Sequence, residues 1–168
     1  MKHAIKIGIV LAFLVTAAGC DRNTCQNVSC PIGQACNSGQ CYCSDGFEGA
    51  DCQTISAQKY IGNYNFSSEN CTPITPFTTA NVFIQQGNFN NQIEIYNLMG
   101  SYCTFVTAII RTDFNNEGNI LEIPEQNSNC SGNSVSGQGR YDKLNNRIIL
   151  ELYYTFGGIS YQCNTTLQ

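Results

Sequence analysis

From Tyr60 onward the chain alternates apolar and polar positions with period two. The clearest run is Arg147–Phe156, where Ile148, Leu150, Leu152, Tyr154 and Phe156 share one face and Arg147, Glu151 and Thr155 fall on the other. That pattern predicts a half-buried antiparallel strand. Weaker versions predict strands at Tyr60–Ser67, Val82–Gln86, Gln92–Leu98, Tyr102–Arg111, Asn119–Ile123, Ser134–Asp142 and Ile159–Thr166. Asn90-Asn91, Asn115-Asn116-Glu117-Gly118, Asn145-Asn146 and Gly157-Gly158 are placed to supply the positive-φ residues of tight hairpins. No stretch carries a helical period. About eight short strands joined mostly by hairpins predict an antiparallel meander over residues 58–168. Such a sheet hides its edges by curling into a small barrel or folding over as a sandwich.

The N-terminus is patterned differently. Lys2, His3 and Lys6 precede a mostly apolar stretch from Ile7 to Ala18, which predicts a signal peptide over residues 1–19. A helix that spans a bilayer core needs about 20 apolar residues, so this stretch is short for a permanent span. The run Leu14-Val15-Thr16-Ala17-Ala18-Gly19-Cys20 ends in small residues before a cysteine. It resembles the lipobox of bacterial lipoproteins. The resemblance implies cleavage before Cys20, a lipid on Cys20 and a tether over residues 20–24. The alternative is an ordinary secretory signal cleaved near Ala18.

Six cysteines crowd into 28 residues: Cys25, Cys30, Cys36, Cys41, Cys43 and Cys52. So short a segment buries too little apolar surface to offset its chain entropy and needs covalent staples. Spacing alone leaves fifteen connectivities open. The run Cys41-Tyr42-Cys43-Ser44-Asp45-Gly46-Phe47-Glu48-Gly49-Ala50-Asp51-Cys52 resembles the C-terminal half of an EGF-like domain, with Gly46-Phe47 and Gly49 at that family's turn and aromatic positions. The resemblance implies an EGF-like domain over residues 25–53 with pairs Cys25–Cys36, Cys30–Cys41 and Cys43–Cys52. Some members bind calcium through residues before the first cysteine. Asp21 and Asn23 match that lead-in, but Thr24 stands where Glu or Gln is expected, so a polar tether is the preferred reading.

Cys71, Cys103, Cys130 and Cys163 form a second even set. In a closed eight-strand meander the first and last strands are neighbours, which predicts Cys71–Cys163 and leaves Cys103–Cys130. Cys20 is then the odd cysteine, where the lipobox wants a lipid acceptor. A zinc site would want histidines or C-x₂-C knuckles. Neither follows residue 19.

Composition narrows the chemistry. With Lys2 and Lys6 removed, six Lys or Arg face twelve Asp or Glu, a net charge of −6. No basic cluster offers a footprint for nucleic acid, and anionic headgroups gain nothing from this chain. Membrane attachment is therefore expected through the lipid. The one histidine, His3, lies in the signal segment, so no imidazole base is expected. With every cysteine committed, no thiolate nucleophile is expected either. Glu94, Glu122 and Glu151 are the strand carboxylates, and Glu94 and Glu151 read as outward-facing. Gly137-Gln138-Gly139 sits inside a predicted strand rather than opening a phosphate-binding loop.

Tyr60-Ile61-Gly62-Asn63-Tyr64 resembles the Gly-x-aromatic start of lipocalin-like barrels. In a barrel this small the tyrosines and phenylalanines are expected in the core rather than around a ligand. The sequence thus predicts a mainly β protein: a disulfide-rich EGF-like module followed by a meander barrel or sandwich. The expected function is non-enzymatic binding, adhesion or a structural role at a bacterial envelope, held at the outer membrane by its lipid anchor, with a protein or glycan partner and no cofactor. The alternatives are a lipocalin-like carrier of a small apolar ligand, and a secreted eukaryotic EGF-like protein. Sequons at Asn27, Asn65, Asn70, Asn129 and Asn164 keep the last alive.

Overall fold

The computed structural model describes residues 25–74, 81–100, 103–112, 117–127 and 129–168, with only the backbone of residues 67–69. The expected signal peptide, Cys20, Asp21, Asn23, the start of the predicted strand at Tyr102 and the turn expected at Asn115-Asn116 lie outside the described residues. The protein is mainly β and carries five disulfides.

The cysteine-rich segment is two short antiparallel ladders held by its own staples. Strand β1 (Gln34–Asn37) pairs with β2 (Gln40–Cys43), and β3 (Phe47–Glu48) with β4 (Thr54–Ile55). Cys25 bonds Cys36, Cys30 bonds Cys41 and Cys43 bonds Cys52. Cys43 and Cys52 are buried, whereas the other four are half-exposed. Little apolar surface is hidden here, so the covalent links carry the order.

A 3₁₀ turn at Ser56–Tyr60 leads into the sheet, with Ala57 and Tyr60 fully buried. Nine strands follow: β5 (Gly62–Tyr64), β6 (Phe66–Thr72), β7 (Val82–Gln86), β8 (Gln92–Tyr96), β9 (Phe105–Arg111), β10 (Ile120–Gln126), β11 (Ser134–Asp142), β12 (Arg147–Phe156) and β13 (Ile159–Leu167). All pair antiparallel in one sheet, in the order β5-β7-β8-β9-β10-β11-β12-β13-β6. The two edge strands are consecutive in the chain, so the sheet curls until its edges approach.

The single strand expected at Tyr60–Ser67 is therefore two. Tyr60 closes the 3₁₀ turn. Gly62–Tyr64 then pairs with β7, and Phe66–Thr72 crosses to pair with β13. The change of partner falls at Asn65, which exchanges both backbone hydrogen bonds with Gln168 (2.8 and 2.9 Å). One segment serves both ends of a curled sheet, and alternation within that segment cannot show which neighbour each half finds.

The inner face is aliphatic and filled. Ile84, Ile95, Ile110, Leu121, Leu150 and Leu152 each have no exposed surface. On β12, Ile148, Leu150, Leu152 and Tyr154 point inward, with Phe156 packed at the margin, as the alternation predicts. Glycines let the sheet bend there. Gly139 stands opposite Leu150 and Gly137 opposite Leu152. A Cβ on Gly137 would lie 2.3 Å from the Glu151 carbonyl oxygen, and one on Gly139 would lie 2.5 Å from Leu150 Cδ2. The large leucines fold over positions that hold no side chain, which favours tight curvature.

Two disulfides tie the sheet. Cys71 lies directly opposite Cys163 in the β6–β13 register and bonds to it. Cys103 bonds Cys130, both buried. Of the predicted turns, Gly157 and Gly158 both take positive φ (57° and 80°), joining Phe156 to its register partner Ile159. That is the turn the strand twist favours. Asn146 also takes positive φ (47°), but Asn90, Asn91 and Gly118 do not. The β7–β8 connection is instead a longer loop, closed by Gly87 N–H to the Gln92 carbonyl (2.9 Å) and Gln92 N–H to the Phe89 carbonyl (3.0 Å). The added residues remove the demand for a primed turn.

Candidate functional site

Three aromatic rings stand side by side on the solvent face of β7, β8 and β9. Phe83 is registered directly against Tyr96, and Tyr96 against Phe105. Their ring centroids are 6.0 and 5.5 Å apart, with the planes tilted by 47° and 38°. Phe83 is 39 % exposed, and Tyr96 and Phe105 are half-buried. The core does not need them. Val82, Ile84, Ile93, Ile95, Val106 and Ala108 fill the opposite face of the same strands without exposed surface. The expectation that tyrosines and phenylalanines are core residues holds for Tyr60, Tyr154 and Tyr161 and fails for this row. The reason is parity: each of the three occupies the outward position of its alternating strand. That signal was in the sequence, since Phe83, Tyr96 and Phe105 each adjoin the aliphatic residues that define the inner face.

A polar row runs alongside. Gln85 is registered against Glu94, and Glu94 against Thr107. Gln85 Nε2 donates to Glu94 Oε2 (2.9 Å) and to the Tyr96 phenol oxygen (3.0 Å), and the Tyr96 hydroxyl donates to Glu94 Oε2 (2.8 Å). Donation to Glu94 holds the Tyr96 phenol above its ordinary range, with burial adding to the effect and the Gln85 amide opposing it. Gln126 caps the row by bonding both the N–H and the carbonyl of Thr107 (2.8 Å each). Asn63, exposed, stands opposite Phe83 and so ends the aromatic row on β5. Gln85, Glu94 and Tyr96 thus hold one another in place.

The stapled segment meets the sheet away from this row. Lys59 Nζ lies 2.5 Å from Glu48 Oε2 and 2.8 Å from Asn119 Oδ1. It sits 5.7 Å and 5.6 Å from the Tyr60 and Tyr141 ring centroids. The same Glu48 oxygen accepts the Gly118 N–H (3.0 Å), while the Gly118 carbonyl accepts the Tyr60 hydroxyl (2.7 Å). Arg111 bridges Asp45 of the stapled segment and Glu122 of β10, at 2.9 Å each. Gly46 (φ 93°) closes against the β7–β8 loop, where a Cβ would lie 2.7 Å from Asn91 N. An open pocket of about 540 Å³ remains beside this joint, lined by Ala35, Tyr42, Asp45, Thr112 and Ile120 among others.

The strand carboxylates do not converge. Glu94 belongs to the aromatic row and Glu122 to the Arg111 bridge. Glu151, on the outer face of β12, accepts hydrogen bonds from Gln138, Tyr153 and Gln162. Gln138 and then Tyr153 hold its carboxyl below the usual range. Among the described residues no group of three His, Cys, Asp or Glu is arranged to hold a metal, and no helix is long and apolar enough to cross a membrane. Compared with protein-family models, with curated proteins and with solved structures, the chain matches none of them.

Proposed function

We propose that this protein is a lipid-anchored lipoprotein of a bacterial envelope. An EGF-like module beside the anchor carries a β sheet whose outer face meets a partner. The reading is non-enzymatic and extracytoplasmic, and places the anchor in the outer membrane. The observation that carries it is the cysteine account. Ten cysteines, Cys25 to Cys163, are consumed in five disulfides, leaving Cys20 of the eleven directly after Leu14–Gly19. Disulfides at this density belong to an oxidising compartment. A cysteine left over beside the signal segment is then the residue a lipid would take. More than one acyl chain gives stable anchoring.

The joint supports presentation. Lys59, Glu48, Gly46 and Arg111 knit the stapled segment to the sheet, so the segment nearest the anchor also orients the face that the sheet displays. A carrier with its ligand inside the sheet draws no support from an inner face occupied by Ile84, Leu121, Leu150 and Leu152. Metabolic labelling with a fatty-acid analogue tests the anchor. Wild type should label and Cys20→Ser should not, and equal labelling of the two overturns the reading.

A further inference from the structure

We propose that the row Phe83, Tyr96 and Phe105, with Gln85, Glu94 and Asn63 beside it, binds a neutral carbohydrate chain built of pyranose rings. This deepens the reading above, because it takes the displayed face of the sheet as the part that meets a partner.

Three aromatic rings on the wet face of three adjacent strands hide nothing the core requires, since the inner face is complete without them. Exposed apolar groups gathered in one place mark an interaction surface. The row is one side chain wide. A stable protein interface uses about 20–30 residues on each side, with an apolar centre surrounded by a rim. A single file of rings with a polar file beside it does not supply that. It does suit an extended ligand that is itself two-faced. A pyranose presents axial C–H groups on one face and hydroxyls around its edge. Ring faces on the sheet take the C–H groups, and amide and carboxylate groups take the hydroxyls.

The polar file has the needed chemistry. Glu94 offers acceptor oxygens and Gln85 both donors and acceptors, both oriented by their bonds to the Tyr96 phenol. Asn63 adds an amide at the end of the aromatic row, opposite Phe83. Successive rings one strand apart give a stepped, twisted track, and an extended sugar chain likewise repeats ring by ring with a twist. Charge settles which carbohydrate. Among the described residues, Lys59, Lys143, Arg111 and Arg147 are in ion pairs elsewhere, and Arg140 is on β11. The only charged group in the two files is Glu94. A polyanionic polymer would meet repulsion here and no compensating cation, so the ligand is uncharged.

The test is affinity electrophoresis and calorimetry of the full chain in detergent, with cellohexaose and chitohexaose as probes. At least one should bind, and Phe83→Leu and Tyr96→Leu should each weaken it by about tenfold, since they keep apolar bulk but remove the ring face. The unfolding curve of Phe83→Leu should overlay the wild type, whereas Tyr96→Leu also gives up its bonds to Glu94 and Gln85 and should remain folded at the binding temperature; Tyr153→Leu, on β12, should bind as wild type does. Binding of neither probe overturns the proposal. So does binding that survives both ring substitutions, or self-association of the wild type that they abolish, which would make the row a contact between copies. Detergent-solubilised protein needs no anchor, so a negative result leaves lipidation at Cys20 standing, and failed labelling of Cys20 leaves a positive result standing.

Discussion

Glu48 and Lys59 form a 2.5 Å ion pair between the cysteine-rich segment and the turn that opens the sheet, each side chain only 18 % exposed. The pair is worth more than an exposed one because Glu48 also accepts the Gly118 N–H and Lys59 also donates to Asn119. Removing one partner strands the others in a half-buried setting. Glu48→Ala should cost about 2 kcal/mol in denaturant unfolding, and Glu48→Gln less, since an amide oxygen still accepts from Gly118. The check is a double-mutant cycle with Lys59→Met. A coupling indistinguishable from zero would show that the pair contributes nothing to the joint.

Gly46 tests the same joint sterically. Its φ of 93° disfavours any side chain, and an added Cβ would press on the Asn91 backbone at 2.7 Å. Backbone cannot move aside as a flexible side chain can. Gly46→Ala should destabilise by roughly 2–3 kcal/mol. Gly132→Ala is the contrast, with a similar φ of 82° and nothing within 4 Å of an added Cβ. It should cost about 1 kcal/mol, from the backbone alone. Equal losses in the two variants would mean that Gly46 does not fit against the loop.

How much of this was legible in the sequence varies with the range of the interaction. Alternation in Arg147–Phe156 placed Ile148, Leu150, Leu152 and Tyr154 on the inner face, because neighbour-to-neighbour parity is a local property. Gly157-Gly158 gave its turn for the same reason. The split at Asn65 was hidden. It depends on Gln168, 103 residues further along the chain, and on which edge each half of the segment finds. The aromatic row was half-legible: parity assigned Phe83, Tyr96 and Phe105 outward, but aromatic character argued for the core, and only the aliphatic residues between them decide the matter. The joint was not legible, since Glu48, Lys59 and Gly118 come from three separate segments.

The two sheet disulfides should differ in strength. Cys71–Cys163 closes a sequence separation of 92 residues and Cys103–Cys130 one of 27. On the loop-entropy scale the first contributes about 4–5 kcal/mol and the second about 3–4. The Cys71→Ser/Cys163→Ser double variant should therefore lose about 1 kcal/mol more than Cys103→Ser/Cys130→Ser. Denaturant unfolding of the two pairs measures this, and the reverse order would contradict it.

Tyr64 gives an alkaline signature. Burial and then the Tyr141 charge push its phenol up to about 12, above the ordinary value near 10. The folded state favours the protonated form, so this contribution is full below pH 10 and is lost as pH rises through about 12. Tyr64 is only half-buried, so the loss is about 1 kcal/mol after solvent screening rather than the full linkage value. Stability of wild type minus that of Tyr64→Phe should fall across this window. A difference that stays flat would show that Tyr64 titrates as an ordinary surface tyrosine.

We propose that one cysteine of eleven takes a lipid while the other ten cross-link the chain. Intact-mass spectrometry of the mature protein, without and then with reduction, reads both at once. The mature chain should begin at Cys20, carry acyl groups there, and gain the mass of ten hydrogens when five disulfides are reduced. A mature chain without acyl mass, or one that begins upstream of Cys20, would contradict it.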